Sequence, residues 1–203
     1  AKRLENFFAN CTSLEKLDYS RFDINVENIS GFFRGCSSLK NINVDHFVTS
    51  ETYEIGGIFS ACSSLESIDL SHWNTSSVRN IGSLFSDCTK LESIDLSSFA
   101  TYNVTSMGGL FRGCTNLKKI SWGINFNTDK VTDMWFMFAG CSSIETVDLS
   151  TFSTSKVITF REMFNNCPSL KEIIGLDNLD THYAEDFEEM FKGCLLYTSD
   201  AAD

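Results

Sequence analysis

The chain has 203 residues and a formal net charge of −11, so it is long enough for one core or a series of repeats and too acidic for a typical nucleic-acid-binding protein. With 42% hydrophobic and 21% charged residues it is not a disordered chain, and no apolar stretch approaches the roughly 18 residues of a membrane span. The composition includes 18 Phe, one Pro and eight Cys, and an even cysteine count suggests disulfides in a small secreted protein.

The eight cysteines recur at intervals of 25 to 27 residues and reveal a tandem repeat. They are Cys11, Cys36, Cys62, Cys88, Cys114, Cys141, Cys167 and Cys194. We assign residues 1–194 to one repeat solenoid, with a partial unit over 1–10 and seven units of about 26 residues over 11–193. Units 5 and 7 each gain a residue after the region of Trp122 and Gly175, which places these insertions in a connection.

Each unit begins with a predicted short β-strand. After Cys62, the residues Leu65, Ile68 and Leu70 follow the pattern L-x-x-I-x-L. The last two alternate with Asp69, as a half-buried strand requires. The same apolar triplet recurs as Leu14/Leu17/Tyr19, Leu39/Ile42/Val44, Leu91/Ile94/Leu96, Leu117/Ile120/Trp122 and Ile144/Val147/Leu149.

The second half of each unit predicts a short α-helix. In the unit of Cys62 the apolar residues are Val78, Ile81, Leu84 and Phe85. Their spacing of i, i+3, i+6 and i+7 matches one face of a helix of about three turns. Thr75 or Ser76 stands at the N-cap position, and the equivalent threonines are Thr101, Thr128 and Thr154.

The residue before each cysteine predicts how this helix ends. Seven of the eight are Gly, Asn or Asp, which best tolerate a left-handed backbone, and Ala61 is the exception. No unit of this size buries both a strand face and a helix face, so neighbouring units must stack. The predicted fold is an α/β solenoid with parallel strands on one face and short helices on the other.

The repeat resembles a known family. Its strand segment matches the leucine-rich-repeat opening L-x-x-L-x-L. The repeat is also similar to that of the BspA-like leucine-rich-repeat surface proteins of bacteria, over residues 1–194. The motifs that carry this resemblance are S-S-L-x-x-I-D-L-S-x-F/W-x-T-S-x-V and G-x-L/M-F-x-x-C. One departure is an aromatic column in place of the usual polar ladder: Phe22, Phe47, Trp73, Phe99 and Phe152. The resemblance implies a secreted or cell-surface protein, and some members of the family act as adhesins.

Both ends of the chain depart from the repeat. The sequence starts inside a unit, and residues 195–203 fit no repeat position beyond the first. This tail is similar to translated read-through of a sequencing adapter in a metagenomic reading frame, so we exclude it from the fold. We expect the natural protein to be longer.

The cysteine column has two chemical interpretations besides a structural one. Zinc sites need close pairs of cysteines, and none occur here. Disulfides between neighbouring coils are compatible with a spacing near 5 Å, but the side chains would have to point at each other. We favour buried, unreactive thiols packed beneath Phe33, Phe59, Phe85, Phe111, Phe138 and Phe164.

The exposed side of the strands forms the candidate partner-binding site. One column consists of Asp18, Asn43, Asp69, Asp95, Ser121 and Asp148, and the column two residues earlier consists of Lys16, Asn41, Ser67, Ser93, Lys119 and Thr146. The aspartates have three interpretations: hydrogen bonds with neighbouring serines or backbone that order the turns, calcium ligation, or recognition of a ligand. Varied side chains on a constant frame favour a binding surface, and we assign no metal site.

No motif indicates an enzyme. The sequence contains no H-E-x-x-H, G-x-S-x-G or phosphate-binding loop, and we interpret His46 and His72 as surface residues rather than metal ligands. We therefore predict a non-enzymatic, cofactor-free surface protein that binds another protein, with no nucleic-acid partner and no membrane span in this segment. The alternative is a structural stalk or spacer, and the extracellular location follows from the resemblance alone.

Overall fold

The computed structural model describes residues 2–18, 26–45 and 47–195. In chain order the regular elements are β1 (Ser93–Leu96), β2 (Lys119–Trp122), β3 (Thr146–Asp148), β4 (Glu172–Ile174) and a 3-10 helix (Leu176–Asn178). Strand β1 pairs with β2 and β3 pairs with β4, both in parallel. Parallel pairing between consecutive units is what the repeat predicted.

The strands bury one face and expose the other. Ile94 pairs with Ile120 in the β1–β2 ladder, and Val147 pairs with Ile173 in the β3–β4 ladder. In the earlier units the equivalent segments form no assigned strand, although Val44 and Leu70 are buried there as the strand pattern requires. Tyr19, from the first predicted strand, lies outside the described residues.

A second parallel ladder, which the sequence did not reveal, runs through all the units. One residue per coil forms an isolated parallel bridge with the next, in the order Arg3, Asn28, Glu54, Asn80, Ser106, Asp133, Thr159 and Asp186. Consecutive coils therefore stack in register on this side as well. We call this side the turn face, because consecutive turns follow each bridge.

The predicted helices are wrong: the described residues contain no α-helix, and residues 82–87 form consecutive turns. Ser83 has a left-handed backbone with φ of 54°, in the middle of the predicted helix. Its N–H donates to the carbonyl of Gly108 in the next coil at 2.9 Å, whereas the N–H of Ser86 donates back to Ser83 at 3.1 Å. Alternate N–H groups thus bond between coils and within turns, which satisfies the backbone without a helix.

The predicted left-handed stop before each cysteine is confirmed. All eight of these residues have φ between 55° and 77°, including Ala61 at 59°. A second left-handed residue lies four positions earlier in each unit: Asn6, Gly31, Gly57, Ser83, Gly109, Phe136, Glu162 and Glu189. The two left-handed residues divide each segment into short turns, and this is the physical reason why an i, i+3, i+7 pattern forms no helix here.

The core consists of columns of identical side chains. Eight phenylalanines stack in consecutive coils, with ring centroids 5.2 to 6.0 Å apart and planes within 22° of parallel. They are Phe8, Phe33, Phe59, Phe85, Phe111, Phe138, Phe164 and Phe191. The predicted second aromatic column is also buried at Phe47, Trp73, Phe99 and Phe152. Phe22 lies outside the described residues.

The predicted N-cap threonines have a different role, because no helix follows them. Thr101 is buried, donates its hydroxyl hydrogen to the carbonyl of Asn127 at 2.7 Å and accepts the N–H of Asn127 at 2.6 Å. Thr75 and Thr128 make the same pair of bonds to their next coils. These hydroxyls therefore join one coil to the next.

Candidate binding face on the strand side

The structure places the twelve predicted site residues on one side of the coils, and we call this set the strand face. Eleven of the twelve are exposed and Ser121 is half-buried. In the β1–β2 ladder, Ser93 lies opposite Lys119 and Asp95 lies opposite Ser121. Paired strands are about 4.8 Å apart, so side chains of neighbouring coils on this face are close enough to contact one partner.

Asp69, Asp95 and Asp148 each hold the turn that follows them. One carboxylate oxygen of Asp69 accepts the N–H of Ser71 at 2.9 Å, and the equivalent bonds to Asp95 and Asp148 are both 2.8 Å. Asn43 accepts the N–H of Asp45 in the same way at 3.0 Å. The structure therefore contains the hydrogen bonds that the first interpretation of this column required.

These hydrogen bonds also fix the charge of the column. The backbone N–H of Ser71 is the main cause that lowers the pKa of Asp69, and the side chains of Ser97 and Ser150 are the main causes at Asp95 and Asp148. Repulsion from Asp69 raises the pKa of Asp95 by less than these bonds lower it. The three carboxylates are thus ionised at neutral pH in spite of their proximity.

Two ion pairs lie near the aspartate column, at positions three residues before it in the chain. Lys118 forms an ion pair with Glu92 at 3.0 Å, and Lys171 forms one with Glu145 at 2.8 Å. Both pairs are exposed and join neighbouring coils, so each adds little stability. The glutamates of these two pairs are thus matched by lysines, whereas Asp69, Asp95 and Asp148 bond to the serines that follow them.

The part of the chain that the structure describes contains no cluster of metal ligands. No group of three or more His, Cys, Asp or Glu side chains lies close enough to hold an ion. His72 is exposed. His46, its predicted neighbour, lies outside the described residues.

The cysteines are all free, and six of the eight are buried as predicted. Cys11 is exposed and Cys194 is half-buried. Burial raises the pKa of Cys62 and of Cys114 to about 12, so these thiols are neutral at physiological pH. Their unreactive character remains a prediction.

The extra residue of unit 5 lies in a turn that projects from the surface. The sequence predicted only that the insertion falls in a connection. Ile124 is 99% exposed at the tip of a turn in which the N–H of Phe126 donates to Gly123 at 2.9 Å. Phe126 is buried, and the hydroxyl of Tyr102 donates to the side-chain oxygen of Asn125 at 2.6 Å. The turn is therefore held at both ends, and the only sequence signal for it is the extra residue.

No helix among the described residues has the length and apolar character to cross a membrane.

The sequence matches the profile of a family described as "Mycoplasma protein of unknown function, DUF285", over residues 2–122 and residues 85–203. The chain belongs to this family. The two matches overlap and together cover nearly the whole chain, as a repetitive sequence permits. No curated protein matches the sequence.

Three solved structures of leucine-rich-repeat proteins are similar to this DUF285 chain. A leucine-rich-repeat protein of Treponema pallidum is 19% identical, with a TM-score of 0.42 over 86% of this chain. A leucine-rich cell surface protein of Faecalibacterium prausnitzii is 16% identical, with a TM-score of 0.37 over 90%. A leucine-rich-repeat protein of Bacteroides ovatus is 17% identical, with a TM-score of 0.34 over 91%.

The alignments cover 63%, 62% and 66% of those three proteins, so the chain spans less than two thirds of their lengths. The resemblance to BspA-like leucine-rich-repeat surface proteins rests on the repeat motifs. The fold itself is a stack of parallel-paired coils, with turns in place of the predicted helices.

Proposed function

We propose that the strand face binds a protein partner that presents basic groups, and that the chain performs this role as a non-enzymatic surface repeat protein. The observation that carries the proposal is the column of Asp69, Asp95 and Asp148. These carboxylates are exposed, ionised and fixed in orientation by hydrogen bonds. A fixed row of like charges attracts a partner of opposite charge and favours one orientation of it.

The surroundings of the column support recognition rather than simple solvation. Residues of the second column differ in charge and size, from Lys16 and Lys119 to Ser67 and Thr146, on a frame whose buried positions hardly change. Such variation on a constant frame supplies specificity without altering the fold. The extended row of coils provides the contact area that a solenoid offers to a protein.

The test is a peptide selection against the immobilised chain, followed by binding measurements on the selected peptides. We expect the selected peptides to be enriched in Lys and Arg. The triple variant Asp69→Asn, Asp95→Asn and Asp148→Asn should bind them at least about tenfold more weakly, since each exposed charge contact contributes up to about 1 kcal/mol. Asparagine retains the oxygen that accepts the serine N–H, so the turns should persist.

A matched control removes three charges elsewhere on the surface, with Glu51→Gln, Asp129→Asn and Glu185→Gln, and should bind almost as well as wild type. Equal weakening in the control would show a general effect of net charge and contradict the proposal. Peptides without basic enrichment, or no selected peptides at all, would favour the stalk or spacer, in which the strand face contacts nothing.

A further inference from the structure

An open cavity lies beside the turn face, away from the strand face. Its volume is about 460 Å³, and it is lined by Ser77, Arg79, Asn103, Thr105 and Lys130. These residues come from three consecutive coils, between the threonines that join the coils and the bridges of the turn face. All five lining side chains end in a polar or charged group, and their aliphatic stems also form part of the wall.

Both cations of the cavity are held in place by neighbours. The guanidinium carbon of Arg79 lies 5.9 Å from the ring centroid of Tyr53. The ammonium of Lys130 donates to the side-chain oxygen of Asn103 at 2.8 Å, and the amide nitrogen of Asn103 donates in turn to the carbonyl of Ser76 at 2.9 Å. Because these side chains are already ordered in the free protein, they lose less conformational entropy when a ligand binds.

Within the described part of the chain, neither Arg79 nor Lys130 forms an ion pair with a carboxylate. Burial raises the pKa of Glu54, and this outweighs the lowering by the Asn80 side chain and by the charge of Arg79. Glu54 forms a hydrogen bond with the side chain of Asn80 and no ion pair with Arg79. Among the described residues these two cations thus lack a direct ion pair, although the net charge of the chain is −11.

The positions of the two cations limit the size of the ligand. Arg79 belongs to the unit of Cys62 and Lys130 to the unit of Cys114, so they are two coils apart, about 10 Å along the stack at the usual spacing of parallel chains. A ligand with acidic groups at two positions matches two cations that come from different coils. Hydroxyl and amide groups of Ser77, Asn103 and Thr105 fill the interval and match a ligand rich in hydroxyl groups.

We propose that this cavity, the Arg79–Lys130 site, binds an acidic oligosaccharide. Arg79 would pair with one carboxylate through its planar fork, and Lys130 would neutralise a second acidic group further along the sugar chain. Ser77, Asn103 and Thr105 would exchange hydrogen bonds with the sugar hydroxyls between them. The site is separate from the strand face, so a chain with both would attach to an acidic glycan and to a basic protein at once.

The probe is a tetrasaccharide of alternating glucuronate and N-acetylglucosamine, titrated by calorimetry into the full chain. The uncharged comparison is a tetramer of N-acetylglucosamine. We expect the acidic tetrasaccharide to bind, the neutral tetramer to bind at least about tenfold more weakly, and the affinity to fall with added salt as exposed charge contacts are screened.

Variants test the assignment of residues. Arg79→Gln and Lys130→Gln should each weaken binding about fivefold, and Arg79→Lys should weaken it less, because it keeps the charge and loses the fork. Lys90→Gln, an exposed cation on another part of the surface, is the matched control and should leave binding unchanged. Thermal melts of all variants should match wild type, since every substituted side chain is exposed.

Four outcomes would overturn the proposal: no binding of the acidic tetrasaccharide, equal binding of the neutral one, equal weakening by Lys90→Gln, or full competition by sodium sulfate at the same concentration. The last would indicate a simple anion site. Binding that survives the triple aspartate variant of the strand face would separate this site from the proposed protein-binding function.

Discussion

The thiol of Cys88 donates to the backbone carbonyl of Phe59 in the preceding coil, with 3.1 Å between sulfur and oxygen. The same carbonyl accepts the N–H of Cys62 at 3.0 Å, so both of its lone pairs are used. Six other cysteines make the equivalent bond to a phenylalanine carbonyl: Cys36, Cys62, Cys114, Cys141, Cys167 and Cys194. The cysteines therefore hold adjacent coils together as thiols, without disulfides.

Replacing Cys88 by alanine should destabilise the fold. The variant loses a fully buried sulfur and its hydrogen bond, whereas the Phe59 carbonyl keeps its bond from Cys62. We expect the free energy of unfolding to fall by about 1–2 kcal/mol, measured by urea denaturation. Cys11→Ala, at an exposed cysteine, should change it by less than about 0.5 kcal/mol, and an equal loss in both variants would refute a packing role.

Burial of the thiols predicts a loss of stability at alkaline pH. Folding raises the pKa of Cys62 to about 12, compared with about 8.5 for a free thiol. The folded state therefore favours the protonated thiol. The stability that Cys62 contributes in this way is fully present below about pH 8.5 and is lost as the pH rises towards 12. The urea midpoint of wild type should fall more between about pH 8 and about pH 10.5 than that of Cys62→Ala; parallel falls would contradict this assignment.

The same burial predicts slow chemical labelling. In native buffer near pH 8 a thiol reagent should react rapidly with Cys11 and slowly with the six buried cysteines, because the reactive species is the thiolate. In denaturant all eight should react at similar rates. Rapid native labelling of Cys88 or Cys141 would show that the core opens more easily than its packing indicates.

The sequence predicts this fold well wherever one residue type has one structural role. The alternation at Ile94 and Leu96 identified β1, and Asp87 and Gly113 marked left-handed positions. The helix prediction failed because consecutive turns also place apolar residues such as Leu84 inward at the same spacing. The residue that breaks the helix is Ser83, which has no intrinsic preference for positive φ and adopts it through its bond to the next coil.

The strand face was predictable and the Arg79–Lys130 site was not, for a related reason. Exposed strand positions follow from a period of two along one segment, so Asp69 and Asp95 could be placed on one face from sequence alone. Arg79 and Lys130 occupy different positions in their units. Lys130 recurs as Lys156 in the next unit, but the neighbouring equivalents of Arg79 are Tyr53 and Thr105, so no column of cations marks the site. Only the stacking of coils brings such residues to one cavity, and a search for repeated columns overlooks them.

The buried threonines predict a difference between two conservative substitutions. Thr101→Val keeps the shape of the side chain but removes both hydrogen bonds to Asn127, and it leaves a carbonyl and an N–H without that partner. Thr101→Ser keeps the hydroxyl and loses one methyl group. We expect the valine variant to lose about 1–3 kcal/mol of unfolding free energy and the serine variant about 1 kcal/mol. A valine variant as stable as wild type would contradict a joining role for the hydroxyl.

Ala61 offers a substitution that should stabilise the protein. It is the one residue before a cysteine that is neither Gly, Asn nor Asp, yet its φ is 59°. A left-handed alanine costs about 1–2 kcal/mol, and the added chain entropy of glycine offsets only part of the relief, so Ala61→Gly should gain about 0.5–1 kcal/mol. The N–H that donates to Ser86 at 2.7 Å is retained.

The control for this substitution is Ala139→Gly, one position before the left-handed Gly140. Ala139 is buried and is not one of the left-handed residues. Glycine there raises the entropy of the unfolded chain and removes a buried methyl group, and it relieves no backbone strain. We expect it to lose about 1 kcal/mol of unfolding free energy in the same urea titration. Opposite signs at the two alanines would show that backbone conformation governs both substitutions, whereas a loss at both would mean that the left-handed turn at Ala61 relaxes in solution.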